Sequence, residues 1–339
     1  MNNTLEKEEL ISLEKFTEKV SQSLKEAFED EREIRISKVK KNNGIEHIGI
    51  TCIKGTCNIS PTLYMESFYD YYKCGNDFDE VMDKIKSTIK RAELNKNVDL
   101  SYFKDYDKVK DRIVYKLVNK SKNEKLLKEI PYVEYLDLAI IFYYMLDSNQ
   151  FPDASILIYN SHLQMWDVNT ETIYEDAKKN TQFLLEPVIT NMADIMKEMI
   201  LRNIKDRYKD YERIEEAEKA GKSKEAWMED LANDMTSIFG TDEFEIPMLV
   251  LTNNKKQYGA SCILYNEILD DIAGKEDTNF YIIPSSIHEV IIVPDNNDMC
   301  PDVLGSMIHE VNTTHVKTEE VLSDSLYYYD KAAKSLYIA

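Results

Sequence analysis

Glycine and proline are scarce in this chain, 9 and 8 among 339 residues, which excludes a collagen-like repeat and a Gly/Pro-rich low-complexity tract. Basic charge is also short. There are 42 Lys and Arg against 62 Asp and Glu, a formal charge of −20 with a pI near 4.8, and such a field opposes generic binding of polyanions. Long apolar runs are missing too: the longest, residues 136–146, is interrupted by Asp137 and falls short of the roughly 18 residues that a spanning helix needs. Residues 1–9 show neither the basic start nor the apolar stretch of a secretory signal, so the expectation is a cytoplasmic protein without a membrane association. The five cysteines (Cys52, Cys57, Cys74, Cys262 and Cys300) form an odd set, expected as reduced thiols in that compartment. Cys52, Cys57 and Cys74 lack a fourth ligand, and their spacings match no standard zinc pattern. No glycine-rich loop follows a strand, which leaves dinucleotide binding and P-loop chemistry without support.

What is present can fold. Hydrophobic residues make up 43% and charged residues 31%, a balance that buries a core. Leu13, Phe16, Val20, Leu24 and Phe28 recur at helical spacing within residues 3–30, marking an amphipathic helix. Ile34 and Ile36, then Ile48, Ile50 and Cys52, alternate about Asn43 and Gly44, the signature of a hairpin that leaves His47 on the polar side. Two helices are expected over residues 63–72 and 78–92. Residues 132–146 and 154–159 read as strands, and residues 172–184 as a helix with Thr172 and Glu175 as its capping box. Residues 188–238 read as charged helix, followed by a linker over residues 240–245. After these come a strand at 248–252, a helix at 260–272, strands at 280–283 and 290–293, a helix at 301–313 and a hairpin of 326–329 with 336–338. Strands and helices interleave without a regular βαβ repeat, which predicts an α+β fold: N-terminal helices and a β-hairpin packed with a C-terminal mixed sheet flanked by helices. The expected division is an N-terminal helical and hairpin region, 1–130, and a C-terminal α+β region, 131–339, carrying a charged helical excursion at about 200–240.

The charge is unevenly spread. Residues 84–128 hold 14 Lys or Arg against 6 Asp or Glu, whereas residues 267–339 hold 4 against 14. The first stretch offers either a surface for phosphate or an acidic partner, or a solvated face that complements the acidic remainder of the molecule, and the overall field favours the second.

Two dipeptides carry the strongest hint of chemistry: His288 with Glu289, and His309 with Glu310. The second does not make a zinc-protease helix, which needs histidines four apart on one face, because residue 313 is threonine and the next histidine is His315. A looser arrangement would set His288 and Glu289, at the mouth of a buried strand, against His309 and Glu310 of the following helix, a donor set suited to a divalent transition metal or to acid–base catalysis. Adjacent strand residues point to opposite faces, so only one of His288 and Glu289 can enter any single site. The competing reading makes both dipeptides polar ends of apolar elements. Ser285 and Ser286 lack a nucleophile elbow and read as turn residues. Trp166 beside His162 suits a core anchor better than a ligand platform.

Residues 59–83, 136–141, 161–166 followed by 177–181, 258–264 and 283–294 resemble, in order and character, an uncharacterised bacterial family met mainly in anaerobic Gram-positive gut bacteria. More distantly, Pro284, Glu289 and the run 290–293 resemble the YtpQ family. The resemblance covers most of the chain from about residue 32, with the tract at 212–234 an addition to the pattern. It implies kinship and no chemistry, since neither family has an activity to carry over. The expectation is a non-enzymatic binding or accessory protein with a protein or small-molecule partner. The alternatives are a metal-dependent hydrolase using His288, Glu289, His309 and Glu310, and a nucleic-acid-associated protein using residues 84–128. The sequence specifies no cofactor or metal.

Overall fold

The computed structural model describes residues 11–28, 32–55, 58, 60–92, 99–146, 154–209, 215–239, 248–295 and 300–339. The ends of the expected first helix, the turn at 147–153, Cys57 and the linker at 240–245 lie outside the described residues. The chain divides into two compact units, Met1–Lys104 and Asp105–Ala339.

In the first unit, helix α1 (Leu13–Ala27) begins at Ser12, whose hydroxyl accepts the Lys15 amide, and buries Phe16, Val20 and Leu24. Strands β1 (Arg32–Lys40) and β2 (Glu46–Lys54) form the expected antiparallel hairpin, with Ile34 opposite Cys52 and Ile36 opposite Ile50. Asn43 and Gly44 supply the positive φ of its turn. Leu63 falls not in a helix but in a short third strand, β3 (Thr62–Tyr64), paired with β2. Helices α2 (Met65–Lys73) and α3 (Phe78–Ala92) follow, the latter entered through Asp77, which accepts the amides of Asp79 and Glu80. Val81, Met82, Ile85 and Ile89 close the core against α1 and the hairpin. His47 does not sit on an open rim: its Nδ1 is 3.2 Å from Glu66, whose other oxygen accepts the Ile48 amide.

The second unit holds two antiparallel sheets. It opens with the turn α4 (Tyr106–Val109) and strand β4 (Ile113–Asn119), and continues through the short α5 (Glu124–Leu127) into β5 (Tyr132–Tyr135) and β6 (Leu138–Met145). The boundary therefore lies near residue 104 and not near residue 130, because β4 pairs along its whole length with β6. Residues 132–146, read as one strand, are two strands joined by a two-residue turn at Leu136 and Asp137, with Tyr135 opposite Leu138. Strand β7 (Ser155–Leu157) pairs with β6. Nearly every residue of β4 and β6 is buried, which explains why they read as continuous apolar runs without alternation.

Helix α6 (Asn160–Trp166) precedes α7 (Thr170–Leu184). The N-cap of α7 is Asn169, accepting the Thr172 amide, and not Thr172 itself. Thr181 on α7 accepts the Tyr115 amide at 3.1 Å, and Asn180 donates to the carbonyls of Lys110 and Ile113, so α7 covers the open edge of β4. Strand β8 (Pro187–Asn191) stands at the start of what reads as helix over residues 188–238. Helices α8 (Met192–Arg207), α9 (Glu215–Lys219) and α10 (Lys224–Phe239) make up the expected charged excursion, yet they share a small core of Ile204, Ala217, Met228 and Ala232.

Strand β9 (Leu249–Asn253) leads into a 3-10 turn at Gly259–Leu264 and then α11 (Ile268–Glu276), where a single helix was expected. Strands β10 (Phe280–Ile283) and β11 (Val290–Pro294), helix α12 (Pro301–Thr314) and the hairpin β12 (Tyr327–Asp330) and β13 (Ser335–Ile338) complete the unit. The six-stranded sheet runs β13-β12-β10-β11-β9-β8. Every pairing in it is antiparallel among the described residues, so the fold is α+β with an antiparallel sheet and not a mixed one.

One carboxylate joins the two sheets. Asp137, in the β5–β6 turn, accepts hydrogen bonds from Tyr327 (2.5 Å), Ser323 (2.5 Å) and Ser325 (3.1 Å). Burial, and then the Asp137 charge, raises the Tyr327 phenol far above its ordinary value, so it stays a donor. Asn119, at the end of β4, adds a second link by donating to the Leu322 carbonyl at 2.9 Å. Asp137→Ala strands three hydroxyls without their acceptor and is expected to cost about 3 kcal/mol in denaturant unfolding, whereas Tyr327→Phe, which leaves Asp137 two donors, should cost about 1 kcal/mol. Equal losses from both variants would contradict the carboxylate-centred arrangement.

Candidate functional site

The carboxyl end of β4 and the β5–β6 turn enclose an open cleft of about 610 Å³. The segment forming one wall is organised by Asn119, whose side-chain oxygen accepts from the Ser121 hydroxyl and the Lys122 amide, and whose carbonyl accepts from Asn123. That arrangement presents Lys120, Ser121, Glu124, Leu127 and Lys128; Tyr132, Leu136 and Asp137 form the other wall. Lys120 is paired with Glu134 at 2.8 Å. The Asp137 carboxylate is filled by its three hydroxyl donors.

Leu136 stands at the first central position of the two-residue turn with a φ of +53°. Glycine is the usual occupant of a left-handed hairpin position, and a leucine there costs about 1–2 kcal/mol. The conformation is held by its neighbours. Asp137 is drawn inward by three hydroxyls while its carbonyl accepts the Lys120 amide.

The two His–Glu dipeptides lie elsewhere. His288 and Glu289 occupy a bend before β11 and not the strand itself. His288 Nδ1 accepts the Tyr258 amide at 3.3 Å, which leaves Nε2 to carry the proton of the neutral ring. The imidazole stacks on the Tyr258 ring, centroids 5.7 Å apart, and Lys116 lies 3.9 Å from the centroid of that same ring. The chain approaches so closely here that a Cβ on Gly259 would meet the His288 carbonyl at 2.5 Å and the Thr252 hydroxyl at 2.2 Å. His309 and Glu310 are exposed on α12, whose inward residues are Leu304, Ile308 and Asn312. His315 caps the end of the same helix. Among the described residues no three His, Cys, Asp or Glu side chains are grouped where they could hold a metal ion. Trp166 is buried between Tyr106 and His162, the anchor position expected of it.

The basic tract is divided between the two units, and much of its charge is used locally. Lys84 lies over the Tyr71 ring, Lys108 and Lys110 pair with Asp105 and Asp107, and Arg112 donates to the carbonyls of Met145 and Leu146. Lys122 reaches Asp324 at 3.4 Å, a direct contact between the basic tract and the acidic C-terminal stretch.

The blocks of sequence that resembled a family fold around these features: residues 136–141 supply the turn and β6, residues 258–264 the Tyr258 bend, and residues 283–294 strand β11 with His288. A family model matches residues 13–331. The chain belongs to the Family of unknown function (DUF5688). No curated protein and no solved structure matches it significantly. The match takes in both units and both edges of the cleft, so the DUF5688 pattern includes the site together with its scaffold. Among the described residues, no helix is long and apolar enough to cross a membrane.

The four thiols among the described residues of this DUF5688 chain divide by environment. Burial pushes Cys262 up to about 12 and Cys52 up to about 11, and Cys262 donates to the Thr252 carbonyl, while Cys74 and Cys300 are exposed. Peptide mapping after brief alkylation of native protein at pH 8 should find Cys74 and Cys300 modified, and Cys52 and Cys262 modified only after unfolding. Rapid native labelling of Cys262 would contradict its placement.

Proposed function

We propose that this protein is a non-enzymatic binding protein whose small-molecule site is the cleft between the Lys120–Lys128 segment and the β5–β6 turn. The observation that carries the reading is Leu136. A strained, left-handed leucine lines the cleft where glycine would fold at lower cost, and strain of this kind gathers at ligand sites because the side chain is needed there. The cleft volume lies within the range of small-molecule pockets, and apolar walls from Leu127, Tyr132 and Leu136 are joined by a few charged groups, the usual composition of such sites. His47, His162 and His288 and the Cys262 thiol, by contrast, are engaged in internal contacts.

Leu136→Gly separates stability from binding. The variant should unfold at a temperature equal to or above that of the wild type, because the turn loses its strain. It should also lose binding of whichever compounds, in a panel of amino acids, sugars, nucleotides and carboxylic acids, shift the methyl resonances of Leu127 in wild-type protein. A panel that leaves those resonances unmoved, or a Leu136→Gly variant that binds as well as wild type, would sink the proposal.

A further inference from the structure

The charges lining this cleft say what kind of molecule it takes, an inference that rests on the binding reading above. Lys120 and Lys128 balance Glu124 and Asp137 in formal charge. Two of the four are already committed, Lys120 to Glu134 and Asp137 to three hydroxyls. One anion and one cation remain. Glu124 opens α5 and Lys128 caps its end, the spacing at which a glutamate preceding a lysine ordinarily pairs with it on a helix. Here neither side chain has an ion pair or a hydrogen bond among the described residues. Both are exposed, and between them Leu127 turns inward.

We propose that the cleft binds a small zwitterion of the amino-acid or short-peptide class. The ligand's carboxylate meets Lys128, its ammonium meets Glu124, and its apolar side chain packs against Leu127, Tyr132 and Leu136. A purely anionic ligand would bring its charge beside Glu124 without compensation, and a purely cationic one would do the same beside Lys128, so the paired charges select for a molecule carrying both. A wall of two leucines and a tyrosine ring selects within that class for an apolar side chain. Binding involves no covalent step and no cofactor.

The test is a titration of the full chain, followed through the resonances of Leu127, Tyr132 and Leu136, with leucine and with leucylleucine. Each is compared with its N-acetylated form, which keeps only the anion, and its amide, which keeps only the cation. The zwitterion should bind more tightly than either analogue by roughly two- to fivefold, the scale of a solvent-exposed charge contact. Lys128→Ala should abolish the preference over the amide, and Glu124→Ala the preference over the N-acetyl form, with unfolding of both variants unchanged. A stronger response to leucine than to leucylleucine, or the reverse, identifies the free amino acid or the peptide as the source. If the N-acetyl or amide form binds as well as the zwitterion, the inference is overturned while the cleft stands as a binding site. If neither leucine nor leucylleucine shifts these resonances while another class of compound does, the inference is likewise overturned. Silence from every compound would remove the binding reading as well.

Discussion

The Asp137 carboxylate is the constraint on which the second unit depends. It sits in a two-residue turn of one sheet and takes hydroxyl donors from β12 of the other sheet and from the loop just before it. A carboxylate brought into a half-buried setting loses part of its hydration, and three donors compensate for that loss. The consequence runs outward along the chain. With Asp137 held inward, Leu136 must adopt a backbone conformation that its side chain disfavours, and the leucine is thereby set on the wall of the cleft. A structural contact between sheets and the shape of the cleft wall are in this way one arrangement.

The neighbouring tyrosines repeat the pattern. Tyr327, Tyr328 and Tyr329 donate to Asp137, Asp295 and Asp270 respectively, so alternate faces of one short strand are each tied to a carboxylate. Tyr327 and Tyr329 are buried and Tyr328 is only half-buried, as alternation along a strand requires. Part of the excess of acidic over basic residues therefore serves as hydrogen-bond acceptors for phenols. An acidic C-terminal stretch that looks from composition like a charged surface is in part an internal fastening.

Much of the fold was legible because amphipathic periodicity and turn residues mark it directly. The α1 stripe of Phe16, Val20 and Leu24, the hairpin about Asn43 and Gly44, and α12 opening at Pro301 all stand where their patterns put them. Illegible features were those in which tertiary contacts overrule local signals. The β5–β6 turn contains no glycine, proline or asparagine, so its strands read as one, and the lone Asp137 within an apolar run was the signal that a polar partner awaited it. Strand β8 hid in a helical stretch because its pairing with β9 comes from a segment about sixty residues further along the chain. The candidate site was legible only as charge: Lys120 and Lys128 belonged to the basic tract, and nothing local revealed that Leu136 would face them. The His–Glu dipeptides drew attention by composition, whereas their environments follow from the close approach at Gly259 and from the outward face of α12.

The bond from Asp137 to Tyr327 spans 190 positions of the chain. Contacts of such separation require the intervening chain to be ordered first and are made late in folding. During synthesis, β4, β5 and β6 emerge long before the strand that supplies the tyrosine. Until β12 docks, the turn that holds Leu136 has the β5–β6 pairing and the Lys120 amide but lacks the three hydroxyls that fix the Asp137 side chain, and the cleft wall is only partly set. The finished cleft wall is thus a late feature of the molecule, acquired with the final closure of its second sheet and absent from any nascent chain that has completed only the first.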